Sequence, residues 1–210
     1  MQIRRIFRIF ALDFEKQLEY LGFLGLLGRL VITKFDRLWQ RDLIFYKKTK
    51  VLYDMTYWFQ EKKLRMGDRT KDQMEQAARS GKQNIAEGHA DGMTSLEMEI
   101  KLVNSARGSL IELREDYEDR LRTHGWPMWD KSHPRYEKML QFCYHHHEPE
   151  DYRPYFERWS EEEFCNVALT LIHQADRGMW SWLQKKEKQF LEEGGIREKM
   201  SAARRQARGF

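Results

Sequence analysis

Hydrophobic residues along most of the chain recur every three or four positions, which is the spacing of one face of an α-helix. This periodicity predicts four long helices, over residues 43–63, 71–87, 95–122 and 161–192. No segment shows the alternation of apolar and polar residues that a half-buried strand needs, so we expect an all-α protein. The clearest apolar face, on the third helix, consists of Leu96, Ile100, Val103, Ala106, Leu110, Leu113, Tyr117 and Leu121.

Three helix starts carry a capping-box sequence, in which a hydroxyl residue and a Glu or Gln three positions later satisfy each other's backbone N–H groups. Trp159 and Phe164 flank the last of them as a hydrophobic staple. Gly194 and Gly195 end the fourth long helix, and a short basic helix is predicted over 196–207. The three boxes pair Thr70 with Gln73, Thr94 with Glu97, and Ser160 with Glu163.

All four prolines lie between residues 123 and 158, which predicts a long irregular connection before the last long helix, with a short helix near 135–145. The same connection is rich in aromatic residues. Two interpretations stay open: the connection packs as a cap over the open end of the helices, or its rings form a ligand-stacking surface. The aromatic residues include Trp126, Trp129, Tyr136, Phe142, Tyr144, Tyr152, Tyr155 and Phe156.

Residues 1–40 are interpreted as a separate N-terminal extension, and residues 41–210 as the folded helical domain. The extension has an apolar face opposite Arg4, Arg5 and Arg8, a pattern that suits a membrane surface or another subunit. A third interpretation is that it lies outside the folded unit. Its most apolar run, residues 21–32, contains Arg29 and is too short to span a bilayer, so we expect no membrane span.

Composition favours one helical domain with its own core. The chain has 210 residues, of which 41% are hydrophobic and 33% are charged. Cys143 and Cys165 are too few for a disulfide framework, and the N-terminus lacks a small-residue cleavage site. We therefore expect a cytoplasmic protein.

The net charge of +4 is modest, but the basic residues are unevenly placed. Residues 195–210 hold five bases and one acid, whereas residues 91–165 hold seventeen acids and ten bases. A basic end on a neutral-to-acidic body is expected of a phosphate binder; the alternative is that these side chains only solvate helix faces. Candidate nucleic-acid contacts are Arg79, Lys82, Lys185, Lys186, Lys188, Arg197, Arg204, Arg205 and Arg208.

The segment QAARSGKQNIAEG, residues 76–88, places several small side chains on the second helix. Gly81 costs about 0.8–1 kcal/mol relative to Ala in a helix interior, so we expect a neighbouring helix to approach closely there. Gly88 is predicted to end the helix in a left-handed conformation, with Asn84 and Glu87 bonding the turn. We interpret the segment as a structural corner rather than a binding site, formed by Ala77, Ala78, Ser80, Asn84, Ile85, Ala86, Glu87 and Gly88.

These residues, together with NSARGSLIELREDYEDRL at 104–121, resemble the four-helix-bundle proteins encoded in ribosomal-RNA intervening sequences. The family's Ala-Ala pair, Ser and Asn-Ile-Ala-Glu-Gly run are matched within residues 77–88. The run from Ala168 onward further resembles the bacterial suffix variety of this family, with residues 123–210 as the suffix segment. The chain departs from the family at Gly81 and Lys82, where members often have a bulky apolar residue and a proline.

The resemblance implies an up-down antiparallel four-helix bundle that assembles into a homo-oligomeric ring, commonly a pentamer. The related accessory protein of diversity-generating retroelements binds nucleic acid and a reverse transcriptase. We therefore expect a non-enzymatic protein that binds RNA or DNA through its basic surface without reading sequence. The alternative is a protein-interaction scaffold that docks a partner such as a polymerase.

The residues offer no strong catalytic or cofactor site. A di-iron centre in a helical bundle needs Glu three positions before His, and no His in this chain has one. No Gly-x-Ser-x-Gly elbow or phosphate-binding glycine loop is present. Cys143 and His145, His146 and His147 could bind zinc or nickel, but a second ligand pair is missing, so we favour a surface histidine run and predict no metal and no cofactor.

Overall fold

The structure is a computed structural model that describes residues 43–65, 67–91 and 95–208, and all regular secondary structure in these ranges is helical. This confirms the all-α prediction for the described residues; the N-terminal extension, residues 1–40, lies outside them. No described helix is long and apolar enough to cross a membrane. The elements are α1 (Ile44–Lys63), α2 (Arg69–Asp91), α3 (Leu96–His124), α4 (Tyr136–His145), α5 (Pro149–Tyr152), a 3₁₀ turn (Arg153–Tyr155), α6 (Glu161–Glu193) and α7 (Ile196–Ala207).

The start of α6 forms as its local sequence predicts. The Glu163 backbone N–H donates to Ser160 Oγ at 3.1 Å, and the Ser160 N–H donates to Glu163 Oε2 at 3.2 Å. The Trp159 and Phe164 rings meet edge to face, with centroids 6.1 Å apart. Capping box and staple are both confirmed, and a cap of this kind stabilises a helix by about 1 kcal/mol.

The other two predicted caps are wrong by one or two residues. The cap of α3 is Ser95, whose Oγ accepts the Met98 N–H at 3.2 Å, while Thr94 lies outside the described residues. At α2 the helix begins at Arg69, so Thr70 lies inside it and donates its N–H to Asp68 Oδ1 at 3.0 Å. In both places a second residue suited to capping stands next to the predicted one, and Ser and Asp are at least as good caps as Thr.

Each of the helices α1 and α3 packs against both α2 and α6. Ion pairs between α3 and α6 occur in opposite sequence order along the two helices, so the two are antiparallel. The same holds for α1 and α2, where Gln60 donates to Glu75 at 2.5 Å and the Lys82 ammonium lies over the Tyr53 ring. The α3–α6 pairs are Arg120–Glu161 at 2.7 Å, Arg107–Asp176 at 2.6 Å and Glu99–Lys186 at 3.2 Å.

The core between these helices is mostly apolar and contains a few buried polar groups. Burying one such Leu, Phe or Met side chain contributes about 1.5–3 kcal/mol. The hydroxyls of Thr56 and Tyr117 bond each other at 3.0 Å, and burial raises the pKa of Tyr117 so that it stays neutral. Fully buried residues include Val51, Leu52, Met55, Phe59, Met74, Leu110, Leu113, Leu171, Ala175 and Met179.

The small residues of α2 let α3 approach closely, as predicted for Gly81. A Cβ at Gly81 would lie 2.8 Å from Leu110 Cδ2, and one at Gly88 would lie 3.0 Å from Leu102 Cβ and 3.3 Å from the Glu99 carbonyl oxygen. The helix-ending role predicted for Gly88 is wrong, because α2 continues to Asp91. Packing against α3 supplies the reason for the glycine and stabilises the extra turn.

The other residues of the 77–88 segment behave as parts of a continuous helix. Ala77, Ala78 and Ile85 are buried in the core. Glu87 accepts a hydrogen bond from Gln83 Nε2 at 3.1 Å on the outer face, so its predicted role at a turn is wrong. Ser80 accepts from Gln76 Nε2 at 3.3 Å. Asn84 and Ala86 are partly exposed within α2, so Asn84 does not bond a terminating turn.

The proline-rich connection packs along the sides of α1 and α6. Trp129 donates its backbone N–H to Asn166 Oδ1 at 2.7 Å and its indole N–H to Glu162 at 2.5 Å. Buried Phe156 meets Trp58 of α1, with ring centroids 5.7 Å apart. These contacts pack the connection against α1 and α6.

A buried lysine ties the connection to α1. Lys48 Nζ donates to the carbonyl oxygen of Cys143 and lies 3.4 Å from the carbonyl oxygen of His146 and 3.3 Å from His147 Nδ1. Burial lowers the pKa of Lys48 to about 8. Tyr152 adds a hydrogen bond to the His146 carbonyl at 2.9 Å. The junction of α4 and α5 is thereby held on a helix 95 residues earlier in the chain.

Candidate nucleic-acid interface

The predicted phosphate contacts lie on three separate elements. Arg79 and Lys82 lie on α2, the lysines at 185, 186 and 188 on the last turns of α6, and the arginines of the C-terminal segment on or just after α7. No described contact joins the α2 pair to the basic residues of α6 or α7.

The lysines of α6 are not equivalent. Lys186 Nζ lies 3.2 Å from Glu99 Oε2, and these side chains are only 14% and 1% exposed. The same ammonium lies 5.0 Å from the Trp182 ring centroid. Lys186 thus neutralises a buried carboxylate and is not free to reach a phosphate. Lys185 is exposed, and Lys188 makes only a solvent-exposed pair with Glu192 at 3.7 Å, a contact that contributes little.

The arginines of α7 are open to solvent. Arg204, Arg205 and Arg208 are all exposed, and Arg204 and Arg208 lie one turn apart on the same side of the helix axis. The side chain of Arg197 lies outside the described part of the structure. Lys199 pairs with Glu193 at 2.7 Å, and this bond holds the pKa of Glu193 below its ordinary value. The C-terminal segment therefore keeps at least three guanidinium groups available to a polyanion.

On α2, Lys82 lies beside an aromatic ring that sequence reasoning missed, while Arg79 is exposed and close enough for its charge to act on Lys82. Lys82 Nζ is 3.8 Å from the Tyr53 ring centroid, a close cation–π contact. Tyr53 is followed one turn later by Tyr57, whose ring lies 6.5 Å away at an interplanar angle of 28° and is 50% exposed. Burial lowers the pKa of Lys82; the negative charge of Asp54 opposes this shift, and the positive charges of Arg79 and Lys50 add to it.

These rings form one wall of an open cleft of about 740 Å³, here called the α1 cleft. The opposite wall is the end of the proline-rich connection, which brings two further arginines, Arg153 and Arg158, to the same place. Trp58 is held at the base by stacking on Phe164, with centroids 5.4 Å apart. The lining consists of Tyr53, Asp54, Tyr57, Trp58, Arg153, Pro154, Phe156, Glu157 and Arg158.

The charge balance of the α1 cleft is positive. Asp54 is paired with Arg153 at 2.7 Å, and this bond raises the pKa of Arg153. Glu157 is exposed and has no described partner. Against these two carboxylates stand Arg153 and Arg158 in the lining and Lys82, over the Tyr53 ring, at the edge. Three cations and two carboxylates leave a net charge of about +1.

The tyrosines could have been found from the sequence, whereas the arginines could not. Tyr53 and Tyr57 are four residues apart on α1, and this spacing places both rings on one face of the helix. Arg153 lies 99 residues from Asp54, and only the packing of the connection brings the two together. No periodicity contains that information.

A second cavity, of about 290 Å³, lies under the connection. Its rings are engaged with each other: Tyr155 stacks on Trp159 with centroids 5.4 Å apart, and Arg135 lies 5.1 Å over Trp129 while pairing with Glu163. The cavity therefore offers less open aromatic surface than the α1 cleft. Its lining residues are Trp129, Arg135, Lys138, Met139, Phe142, Tyr155, Trp159, Glu163 and Val167.

The Cys143–His147 cluster does not present a shared set of ligands. Cys143 is buried, and burial raises the pKa of its thiol to about 12. His146 stacks on Phe142, and its Nδ1 lies 2.8 Å from the Phe142 carbonyl oxygen. His147 faces the Lys48 ammonium, whose charge disfavours a metal cation there. Within the described residues, no group of three His, Cys, Asp or Glu side chains is placed to hold a metal ion.

No family model, curated protein or solved structure matches this chain. The resemblance carried by residues 77–88 and 104–121 therefore stays a prediction.

Proposed function

We propose that this protein is a non-enzymatic helical bundle that binds RNA or DNA through a basic surface without reading base sequence. The observation that carries the proposal is the α1 cleft, where Lys82 lies over the Tyr53 ring, and half-exposed Tyr57 and two further arginines line the same space. Cations that contact phosphates and rings that accept bases are the two components of sequence-tolerant nucleic-acid binding. The open arginines of α7 add a second basic surface.

The proposal includes the finer architecture: an up-down antiparallel four-helix bundle of α1, α2, α3 and α6, within the intervening-sequence family and with a suffix segment at 123–210. The reversed order of contacts between α3 and α6, and between α1 and α2, supports the antiparallel arrangement. The close approach of α2 and α3 at Gly81 and Gly88 gives the family-like small residues a physical reason.

We further propose that the chain assembles with itself, as the resemblance implies for a ring such as a pentamer. The apolar side chains near the C-terminus support self-association: Leu191 is 84% exposed, and Ile196 and Met200 are about half exposed one turn apart on α7. Exposed apolar groups of this kind favour a protein contact. A ring would place several basic surfaces on one nucleic-acid strand and raise their effective concentration.

Two features favour binding over catalysis. Burial raises the pKa of both thiols, Cys143 and Cys165, to about 12, so neither is a thiolate nucleophile at neutral pH. Free and buried thiols also fit the reducing cytoplasm proposed as the location. The described core is mostly apolar, and its buried carboxylate, Glu99, is held by Lys186 at 3.2 Å and shielded from solvent.

The test is filter binding of labelled RNA and DNA by the full chain between about 50 and 200 mM salt. Three phosphate contacts to a single strand predict a loss of affinity of about twentyfold over this range, because bound counterions are released. The double variant Arg79→Glu, Lys82→Glu is expected to bind at least tenfold more weakly. The matched control is Lys101→Glu, Lys131→Glu, at two exposed lysines elsewhere. The proposal is rejected if the affinity does not change with salt and is the same in the Arg79→Glu, Lys82→Glu variant as in the wild type.

The apolar face of α7 also favours a second candidate, a scaffold that docks a protein such as a polymerase. Ile196 and Met200 would then contact the partner. Co-purification from the native host, with and without nuclease, separates the candidates. A protein partner that survives nuclease and no longer binds Ile196→Ser, Met200→Ser favours the scaffold, whereas a partner released by nuclease treatment favours nucleic-acid binding.

A further inference from the structure

We infer that the α1 cleft selects single-stranded over duplex nucleic acid by stacking an unpaired base on Tyr57. This inference rests on the proposed function and specifies its substrate. It is carried by the placement of a half-exposed tyrosine ring inside a concave, positively charged cleft rather than on a flat basic face. Lys82 and Arg158 would neutralise the phosphates on either side of the stacked nucleotide.

The ring is presented for stacking by its neighbours. The Tyr53 ring lies nearly parallel to the Tyr57 ring, with centroids 6.5 Å apart, and itself contacts the Lys82 ammonium. Trp58 and Phe156 line the same cleft and contact each other, with ring centroids 5.7 Å apart. A base that stacks on a ring already held in place costs little side-chain entropy, which is how aromatic platforms bind single strands.

The shape of the cleft excludes a duplex from the ring. A volume of about 740 Å³ lies in the range of sites for single small molecules, so it accommodates one or two nucleotides of a flexible strand. In a duplex the bases are stacked on each other and paired, and a protein must supply unstacking energy to extract one. A duplex can therefore meet the cations of this surface but not the Tyr57 ring.

The carboxylates of the α1 cleft lower its affinity for phosphate groups. Asp54 is paired with Arg153 at 2.7 Å. Glu157 is exposed, and its negative charge would repel an incoming phosphate. Removing this charge should strengthen binding, by about two- to fivefold for a single exposed charge a few ångströms from a phosphate. A gain of affinity is an outcome that damage to the fold would not produce.

Fluorescence anisotropy of the full chain with labelled oligonucleotides tests the inference. Four probes of equal length are compared: single-stranded RNA, single-stranded DNA, the DNA duplex, and a DNA strand whose central nucleotides are abasic. The single strands are expected to bind about tenfold more tightly than the duplex or the abasic strand, which keeps its phosphates but has no bases to stack. The RNA and DNA arms show whether the sugar matters.

The decisive variants are Tyr57→Ala, expected to lose about tenfold in single-strand affinity but little in duplex affinity, and Glu157→Gln, expected to gain. The control is Tyr144→Ala, at a tyrosine that is 65% exposed on α4 and outside the cleft. Circular-dichroism melting of each variant checks that it folds. Because Tyr57 and Tyr144 are both exposed, their removal should leave the melting temperature nearly unchanged.

Each outcome supports or overturns the inference. Equal binding of single strand, duplex and abasic strand, with Tyr57→Ala binding like the wild type, overturns it, while salt-dependent binding that is abolished in Arg79→Glu, Lys82→Glu leaves the proposed function intact. Absence of binding to every probe rejects both. Binding of an acidic polyglutamate peptide more tightly than the single strands also overturns the inference, because a protein ligand would then fit the cleft better.

Discussion

Glu99 Oε2 lies 3.2 Å from Lys186 Nζ, and this ion pair is buried between the start of α3 and the end of α6. The other carboxylate oxygen, Oε1, has no hydrogen-bond partner, and His89 Nδ1 lies 3.8 Å from it. A buried charge that loses its only close partner is strongly destabilising, more than the pair is stabilising. The pair therefore fixes how α3 and α6 meet at this end.

We expect Glu99→Ala to lower the free energy of unfolding by about 3 kcal/mol, because Lys186 would keep a buried charge without a partner. The double variant Glu99→Leu, Lys186→Leu should be close to the wild type, since both charges leave together. Urea unfolding followed by circular dichroism measures both. Lys188→Ala, which removes an exposed pair, is the control and should change stability by less than about 0.5 kcal/mol. A double variant as unstable as the single one would contradict this account.

Gly88→Ala should destabilise the protein by about 1–2 kcal/mol, although alanine is the better helix former. The new Cβ would meet Leu102 Cβ at 3.0 Å and the Glu99 carbonyl oxygen at 3.3 Å, and neither atom can move without shifting α3. Gly108→Ala on α3 is the matched control, because nothing from another element lies within 4 Å of its added Cβ. That variant should gain about 0.8–1 kcal/mol. Thermal melts that rank the two variants in the opposite order would refute the close approach of α2 and α3.

The lowered pKa of Lys48 predicts a pH dependence of stability with a defined sign. Its pKa falls from 10.5 in the unfolded chain to about 8 in the fold. Between these values the unfolded state binds more protons, so the Lys48 contribution to stability rises as pH increases from 8 toward 10.5. The rise should reach at most about 3 kcal/mol, because one pKa unit corresponds to about 1.36 kcal/mol.

The measurement for Lys48 is the difference in unfolding free energy between the wild type and Lys48→Met, taken at about pH 7, 8, 9 and 10. Taking the difference removes most of the opposite trend from Cys143, whose pKa is raised from 9.0 to about 12 and lowers stability as pH rises between these values. We expect the unfolding free energy of the wild type, relative to that of Lys48→Met, to increase as pH rises. A difference that stays constant over this range would show that Lys48 keeps its ordinary pKa.

If the exposed arginines of α7 contact phosphates, removing them should weaken the salt dependence of nucleic-acid affinity. Arg204→Gln, Arg208→Gln should reduce the slope of log affinity against log salt by about 1.4 for a single strand, or about 0.7 for each phosphate that is no longer neutralised. Arg122→Gln is the control, since that guanidinium is exposed on α3 but paired with Asp119 at 2.8 Å. Binding to RNA at four salt concentrations gives the slope. An unchanged slope would exclude α7 from the interface and leave the α1 cleft as the site.

The parts of the fold that depend on local sequence were the predictable ones. The start of α6 was predictable because Ser160 and Glu163 are three residues apart and each side chain accepts a hydrogen bond from the other residue's backbone N–H. The end of α2 was mispredicted because glycine has two uses in helices, left-handed termination and close packing, and only the position of Leu102 on α3 decides between them at Gly88. Local propensity does not contain that contact.

The candidate site was predictable only in part, for the same reason. Lys185 and Lys186 are adjacent and equally basic in the sequence, yet only Lys186 meets a carboxylate 87 residues away. Arg79 and Lys82 were identified by charge, but the aromatic wall beside them depends on how α1 lies against α2. Charge can be read from composition, whereas its neutralisation and its neighbours require the tertiary structure.

The attachment of the proline-rich connection to Lys48 has a consequence for synthesis of the chain. Tyr53 and Tyr57 leave the ribosome about a hundred residues before Arg153 and Arg158, which lie on the opposite wall of the α1 cleft. A nascent chain that ends before residue 143 has no carbonyl group of Cys143 for the Lys48 ammonium to bind, and it also lacks the residues that form the second wall of the α1 cleft. A ligand that contacts both walls can therefore bind only after residue 158 has been made.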